Sequence, residues 1–449
     1  MGEDVEPKDV FLAFTVDQGG NVVNACKSLD VDVLKCNAHR LNSVTMWALG
    51  VNGSANTCEN PAMEKLMKRL AALVGVFSDS AVNNDELKAI QKLQEEFHKI
   101  YELIRRNDTR WTTQHAMMVR LLQLKKAIQE YFRTHDGNAR KLTTREWTIA
   151  NEVCSLLDVV AEVTIKIQGG VDTHISQTMF SMLEIKEIIG DTEHWIRAPD
   201  QTYDGGDVLN EKTSLDDLTS EALKVRDTLL SRLESKGLGE ASMPLERICA
   251  LLDPRRKDCS EEHLLNGSAA LKADAIADVK NVAKTFVDPV VVPASPAEDG
   301  SGSSGGNGGS GGGGSSGERR RHRLASSKAS SSSRASSEGK STVTRRSLIE
   351  RELRMYVAED PTPEEDDFSL LDFWLRRSKA TTCAETGEVE AGLPYLALIA
   401  RLYHAVDSTS CQAERNFSAL ALLIGTMRSS MLPHKVERMM FLRLNRLVI

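Results

Sequence analysis

Every residue from Gly300 to Gly317 is Gly, Ser or Asn. No apolar side chain is available there to offset the conformational entropy that ordering costs, so the stretch is expected to stay disordered. Ser-rich and basic sequence continues to about Arg346, and 291–346 as a whole reads as a linker. A flexible chain of roughly 50 residues spans ~40 Å on average, at ~5–6 Å × √n. That is long enough to rejoin two parts of one folded unit. Within it, Arg319-Arg320-Arg321-His322-Arg323 could bind phosphate, serve as a nuclear-import signal, or keep the linker solvated. The chain must therefore fold from what lies on either side of this stretch.

A length of 449 residues allows two to three domains, and a hydrophobic fraction of 41% suffices for a real core. The 64 acidic residues outnumber the 56 basic ones, for a net charge of −8. An acidic chain is not an obvious nucleic-acid binder, so DNA contact would depend on local basic clusters. The 8 cysteines include no Cys-x-x-Cys, which argues against both a zinc finger and a disulfide framework. The opening Met1-Gly2-Glu3-Asp4 is too polar and acidic for a signal peptide, and no apolar run approaches the ~18 residues of a membrane span. An intracellular, soluble protein with reduced thiols is expected.

Before the linker, the pattern is one short strand and then mostly helix. Val10 to Val16 is a brief apolar run ending at Asp17, followed by a turn at Gln18–Asn21 and a helix start at Val22. Strand, carboxylate, turn and helix is how an α/β fold presents an acid at a strand's carboxyl end, though turn formation and capping use Asp equally well. Leu87, Ile90, Leu93, Phe97, Ile100 and Ile104 then recur at helical spacing, predicting one helix across all six. Ile248 to Leu252 reads as a helix stopped by Asp253-Pro254, with Arg255-Arg256-Lys257 beyond.

After the linker, Phe417, Leu420, Leu423 and Ile424 give one apolar helix face. Val436, Met439, Met440, Leu444 and Leu447 give a second. Two such stripes pack on their own domain or meet another chain. Large exposed apolar patches usually mark a contact surface, and a self-complementary patch gives a two-fold dimer.

Several fixed polar motifs accompany these patterns. Glu414-Arg415-Asn416-Phe417-Ser418, then Met427 to Pro433, then the amphipathic tail resembles the C-terminal segment of hAT (hobo/Activator) superfamily transposases. Cys36-Asn37-Ala38-His39-Arg40-Leu41-Asn42 resembles that family's Cys-x-x-His-x-Leu-Asn. Thr109-Arg110-Trp111 is similar to its Thr-Arg-Trp, and Ala250 to Lys257 to its Leu-Asp-Pro-Arg segment. Thr15 to Asn21 matches the family's Thr-Asp-Asn-Ala-x-Asn in part, with Val16 before the Asp and Gln18 after it.

The resemblance implies a mixed α/β, mostly helical chain. An incomplete RNase H-like core, 1–52 and 347–449, would be split by an all-helical insertion domain at 53–290. Asp17 and Glu414 would be the second and third members of a metal-binding acidic triad holding Mg²⁺, which prefers oxygen ligands. Arg110 and Trp111 would touch DNA, the Trp by stacking on a base; packing at the start of its own helix is the alternative. Cys36 and His39, too few to close a zinc site, would brace the active-site helix. The C-terminal region, with Phe417, Leu420, Leu423, Val436, Met439, Met440 and Leu444, would dimerise.

The family's first catalytic Asp belongs on an upstream strand, and only sixteen residues precede Asp17. The expectation is thus a transposase-derived protein without catalysis and without a retained cofactor, self-associating and located in the nucleus, with DNA as a further partner. The alternative is a fragment of an active, Mg²⁺-dependent DNA transposase.

Overall fold

A computed structural model describes residues 12–17, 19–51, 58–94, 99–135, 140–169, 174–198, 210–257, 269–285, 344–363, 368–382, 389–424, 432, 434–436 and 438–439. The linker expectation therefore lies almost wholly outside the described residues. The chain is mostly helical. β1 (Ala13–Val16) and β2 (Asp32–Lys35) form a parallel ladder with Ala13 opposite Asp32 and Val16 opposite Lys35, connected through α1 (Gly20–Ser28). Among the described residues no further strand joins this ladder. A two-stranded βαβ unit is less than an RNase H-like sheet.

The larger core is helical. It is built from α2 (Asn37–Ala48), α3 (Pro61–Ser78), α4 (Ala81–Leu93), α5 (Trp111–Gln123), α6 (Lys125–Thr134), α7 (Thr144–Leu156), α8 (Asp158–Gln168), α9 (Ile175–Gly190) and α10 (Ser220–Ser235). The sequence reasons are local. α3 starts at Asn60, whose side chain accepts from the Met63 amide at 3.2 Å, with Pro61 in the first turn, where a missing N–H costs nothing. Met63, Met67, Leu70, Leu73, Val74 and Phe77 then follow at helical spacing, and all are buried. α7 starts with a reciprocal cap between Thr143 and Glu146, a device worth ~1 kcal/mol. A hairpin of β3 (Glu193–Arg197) and β4 (Asn210–Ser214) packs on α7.

The helix expected to run from Leu87 to Ile104 ends at Leu93, and residues 95–98 fall outside the described set. Leu93 is exposed, so its place in the apolar pattern is coincidental. The returning segment is held instead by buried Gln91. Its amide donates to the Tyr101 carbonyl at 3.0 Å and its carbonyl accepts from the Tyr101 N–H at 2.9 Å, as a neighbouring strand would.

A second core draws on both sides of the low-complexity stretch: α11 (Pro244–Leu251) and α12 (Ala269–Thr285) from before it, and α13 (Arg345–Ala358), α14 (Leu370–Arg377) and α15 (Pro394–His404) from after it. The boundary expected at 290 is therefore not a boundary between cores. The joint is the corner after α11. The Leu252 carbonyl accepts from buried Trp374 Nε1 at 2.9 Å, and the Pro254 carbonyl from the Thr362 amide at 2.9 Å. Lys257 Nζ, almost fully buried, donates to the Tyr356 carbonyl at 2.9 Å. Asp253 is completely buried, and Arg255 grips it with Nε at 3.0 Å and Nη2 at 2.9 Å while its own amide donates at 3.1 Å. Burial works against the Asp253 carboxylate, yet the Arg255 fork keeps its pKa below the usual range. A smaller seam, with Leu34 of β2, Ile175 and Met179 of α9, and Leu245 and Cys249 of α11, ties the ladder to both cores.

Breaking a buried pair strands the remaining charge, at a cost of ~3–5 kcal/mol. Asp253→Ala is accordingly expected to lower unfolding stability by about that much in urea titration. A loss below ~1 kcal/mol would mean that this corner does not hold the second core together.

Candidate functional site

The site is organised by the turn between β2 and α2. The Cys36 amide donates to the Val16 carbonyl at 2.8 Å, aligning the carboxyl ends of β1 and β2. Cys36 is also the residue that precedes α2, and its side chain is fully buried. The segment preceding α16 (Cys411–Ile424) is strapped across this turn. The Asn37 amide donates to the Ser408 carbonyl at 3.2 Å, and the Ser410 amide donates to Cys36 Sγ at 3.3 Å. Thr15 Oγ1 donates to the Asp407 carbonyl, and the Thr178 and Ser408 hydroxyls bond at 2.6 Å.

This strap decides where the two expected acids stand. Asp17 leaves the end of β1, with Oδ1 accepting from the Gly19 amide at 3.1 Å. A Cβ at Gly19 would sit 2.9 Å from that oxygen, so glycine lets the turn close on its own carboxylate. Glu414 lies in the first turn of α16, its amide bonded to the Ser410 carbonyl at 3.0 Å. Both acids thus hang from the same end of the ladder, one beyond Val16 and one beyond Ser410.

Glu414 faces a cleft of about 640 Å³ whose walls include His39, Asn42, Arg110, Trp111, Cys411 and Arg415. Motifs from three distant parts of the sequence meet there. Glu414 Oε2 lies 3.4 Å from Arg110 Nη2, an exposed ion pair worth at most ~1 kcal/mol. Arg415 Nη1 donates to the Gln168 carbonyl at 2.6 Å, holding α16 against the end of α8.

Asn42, named only as part of a motif, is the clamp of this cleft. Its Oδ1 accepts from the Trp111 amide at 3.0 Å and its Nδ2 donates to the Thr109 carbonyl at 3.2 Å. Asn42 is half-buried, and its side-chain amide, which both donates and accepts, is the residue type that can hold two backbone groups of another segment.

Two expectations change. Trp111 is only 1% exposed, with its ring in the helical core, so it is a packing residue in this conformation and presents no face to a base. Arg110, 67% exposed, is the part of that motif open to a ligand. Of the expected bracing pair, Cys36 is buried as a brace must be, whereas His39 is exposed at the cleft. Cys411 donates to Cys36, and this bond leads the effects that pull the Cys36 thiol down to about 5, against the cost of burial. The Cys411 thiol is pushed up in turn, first by that shared bond and then by burial.

Among the described residues, no group of three potential metal ligands includes Asp17 or Glu414. The Glu414 carboxylate already faces a guanidinium, and Asp17 is turned onto Gly19. One such group does occur, His115, Cys154 and Asp158, but Arg197 occupies its centre of charge. Arg197 Nη1 is 2.6 Å from Cys154 Sγ and Nη2 is paired with Asp158. A cation would have to displace that guanidinium.

His115 supports the cleft from behind, its ring 5.8 Å from that of Trp111 and its Nε2 2.9 Å from Asp158 Oδ1. Burial lowers its affinity for a proton, but hydrogen bonds to Asp158 and Cys154 outweigh burial and raise its pKa to about 9.

Of the residues expected to dimerise, Phe417 is 69% exposed, while Leu420, Val436 and Met439 are half-buried. The side chains of Leu423, Met440 and Leu444 lie outside the described residues. On α15, Leu398 and Leu402, one turn apart, are also exposed. Leu402 shares a shallow groove of about 340 Å³ with Leu12, Phe14, Val406 and Ala413.

A helical protein with a βαβ fragment and an exposed apolar C-terminal helix pair is the class that this arrangement defines. Residues 34–156 match the family model of the ZBED1 RNase-like helical domain, and residues 352–445 match that of the hAT family C-terminal dimerisation region. No curated protein matches the chain. The two matches support an hAT-family, transposase-derived protein. Among the described residues, no helix is long and apolar enough to cross a membrane.

A raised His pKa gives stability that is complete below the unfolded value of ~6.5 and lost as pH rises through the folded one. At ~1.4 kcal/mol per unit, the His115 network is expected to lose roughly 3 kcal/mol between pH 6.5 and 9.5. The check is the difference in urea midpoint between the native chain and His115→Gln across that range. A difference that stays constant with pH would rule out a charged His115 in the folded state.

Proposed function

We propose that this protein is a non-catalytic derivative of an hAT transposase that self-associates through residues 393–449. The observation that carries the reading is the exposure of Leu398 and Leu402 on α15 and of Phe417 on α16, all within the region matching the family's dimerisation segment. Water penalises such a face at ~25 cal/mol per Å², and a second copy removes the penalty on both sides at once. The non-catalytic part of the reading is supported by the described residues, among which Glu414 is paired with Arg110 and no group of three potential metal ligands includes Asp17 or Glu414. DNA, if it is a partner, meets the cleft at Arg110 and Arg415, whose cationic groups suit phosphate. A nuclear location follows from transposase ancestry and belongs to the same proposal; cell fractionation tests it.

Sedimentation velocity at micromolar concentration is expected to show a dimer or larger species. Leu402→Asp with Phe417→Asp, both at exposed positions, is expected to raise the dissociation constant at least ~100-fold, two charged side chains costing a few kcal/mol in an apolar contact. A folded monomer for the native chain would overturn this proposal.

The placement of Asp17 and Glu414 at one end of the ladder favours a second reading, a portion of an active transposase. On the first reading, DNA with Mg²⁺ or Mn²⁺ is not nicked. Metal-dependent nicking that disappears in Glu414→Gln would establish the second.

A further inference from the structure

Cys36 and Cys411 come from opposite ends of the chain, and both are free thiols. Cys411 packs against the buried cluster that contains Cys36. The Ser410 amide lies 3.3 Å from Cys36 Sγ although 374 positions separate those residues, and Cys411 is the next residue along. Cys36 is wholly enclosed, whereas Cys411 is half-buried and lines the cleft beside Glu414. One accessible thiol beside one enclosed thiol is the arrangement in which the first meets a reagent and the second resolves the product. We propose that Cys36 and Cys411 form a reversible disulfide that locks the start of α16 to the β2–α2 turn.

The oxidant is a low-molecular-weight disulfide of the glutathione class. Cys411 sulfur attacks one sulfur of the reagent as its proton passes to solvent. A Cys411–reagent disulfide forms, and the first reagent thiolate leaves and takes up a proton. The Cys36 thiolate then attacks Cys411 Sγ, forming the intramolecular bond and expelling the second reagent thiolate. The thiolate and thiol of the pair together lose two electrons and one proton, and the reagent disulfide becomes one thiol and one thiolate.

The consequence is local. In the reduced protein, the strap is held by amide contacts to Cys36 and Asn37. In the oxidised protein, a covalent bond fixes the helix that carries Glu414 and Phe417. Cross-linking across so long a stretch restricts the unfolded chain strongly, so oxidation is expected to raise the thermal midpoint. This modification does not depend on whether the cleft acts on DNA or the C-terminal face binds a second copy.

The test incubates the intact chain with oxidised glutathione, blocks residual thiols, and maps peptides by non-reducing mass spectrometry. The expected result is a Cys36–Cys411 linked peptide, a rise of several degrees in thermal midpoint, and reversal of both by dithiothreitol. Cys411→Ser, at a half-buried position, should fold, give no linked peptide and show no midpoint shift. Stable glutathione on Cys411 without the internal link would overturn the proposal. So would two unreacted thiols, or a link between other cysteines.

Discussion

The arrangement depends on what happens around Cys36. Its amide closes the end of the β1–β2 ladder, its position starts α2, and its sulfur accepts the amide of Ser410. A sulfur is a weak acceptor, but the Ser410 amide is half-buried, and without Cys36 Sγ it loses this partner. The Asn37 amide to Ser408 and the Thr15 hydroxyl to Asp407 add two attachments to carbonyls of the same strap. Three contacts thus bring the last described long helix to the first strand, and the motifs around Cys36, Thr109–Trp111 and Glu414 meet beside that junction.

The second requirement is electrostatic. The corner from Leu252 to Lys257 takes one carboxylate and three cations largely out of water. Arg255 forks onto Asp253, Arg256 stacks over the Phe180 ring at 3.3 Å, and Lys257 bonds the Tyr356 carbonyl beneath its own ring at 4.4 Å. Apolar packing would place α13 to α15 against α11 only approximately; polar groups of fixed direction set the register. This corner is therefore the physical reason why helices on either side of the low-complexity stretch share one core.

Much of this was legible in the residues, and the rest was hidden for identifiable reasons. The short strand before Asp17, the helix opened by Trp111 and the helix stopped by Asp253-Pro254 follow from local chemistry, and each is present. The helix read through Ile104 failed because periodicity cannot tell a buried face from coincidental spacing, and because a Gln side chain imitating a strand leaves no periodic trace. Trp111 and His39 exchanged roles for a similar reason. A motif fixes which residues stand together, but which of them points inward depends on neighbours such as Asn42. Arg110, on an extended residue just before its helix, stayed outside. The Cys36–Cys411 contact had no sequence signal at all, since nothing in either segment names the other.

The central claim is that the segments flanking the low-complexity stretch form one folded unit, joined at Cys36 and at the Leu252–Lys257 corner. A specific protease site inserted between Gly305 and Gly314 allows the purified chain to be cut there under native, reducing conditions. Size-exclusion chromatography of the cut protein then reads the claim directly. The two fragments are expected to co-elute at the volume of the uncut chain and to separate only in denaturant. A C-terminal fragment that elutes alone in native buffer would contradict the account.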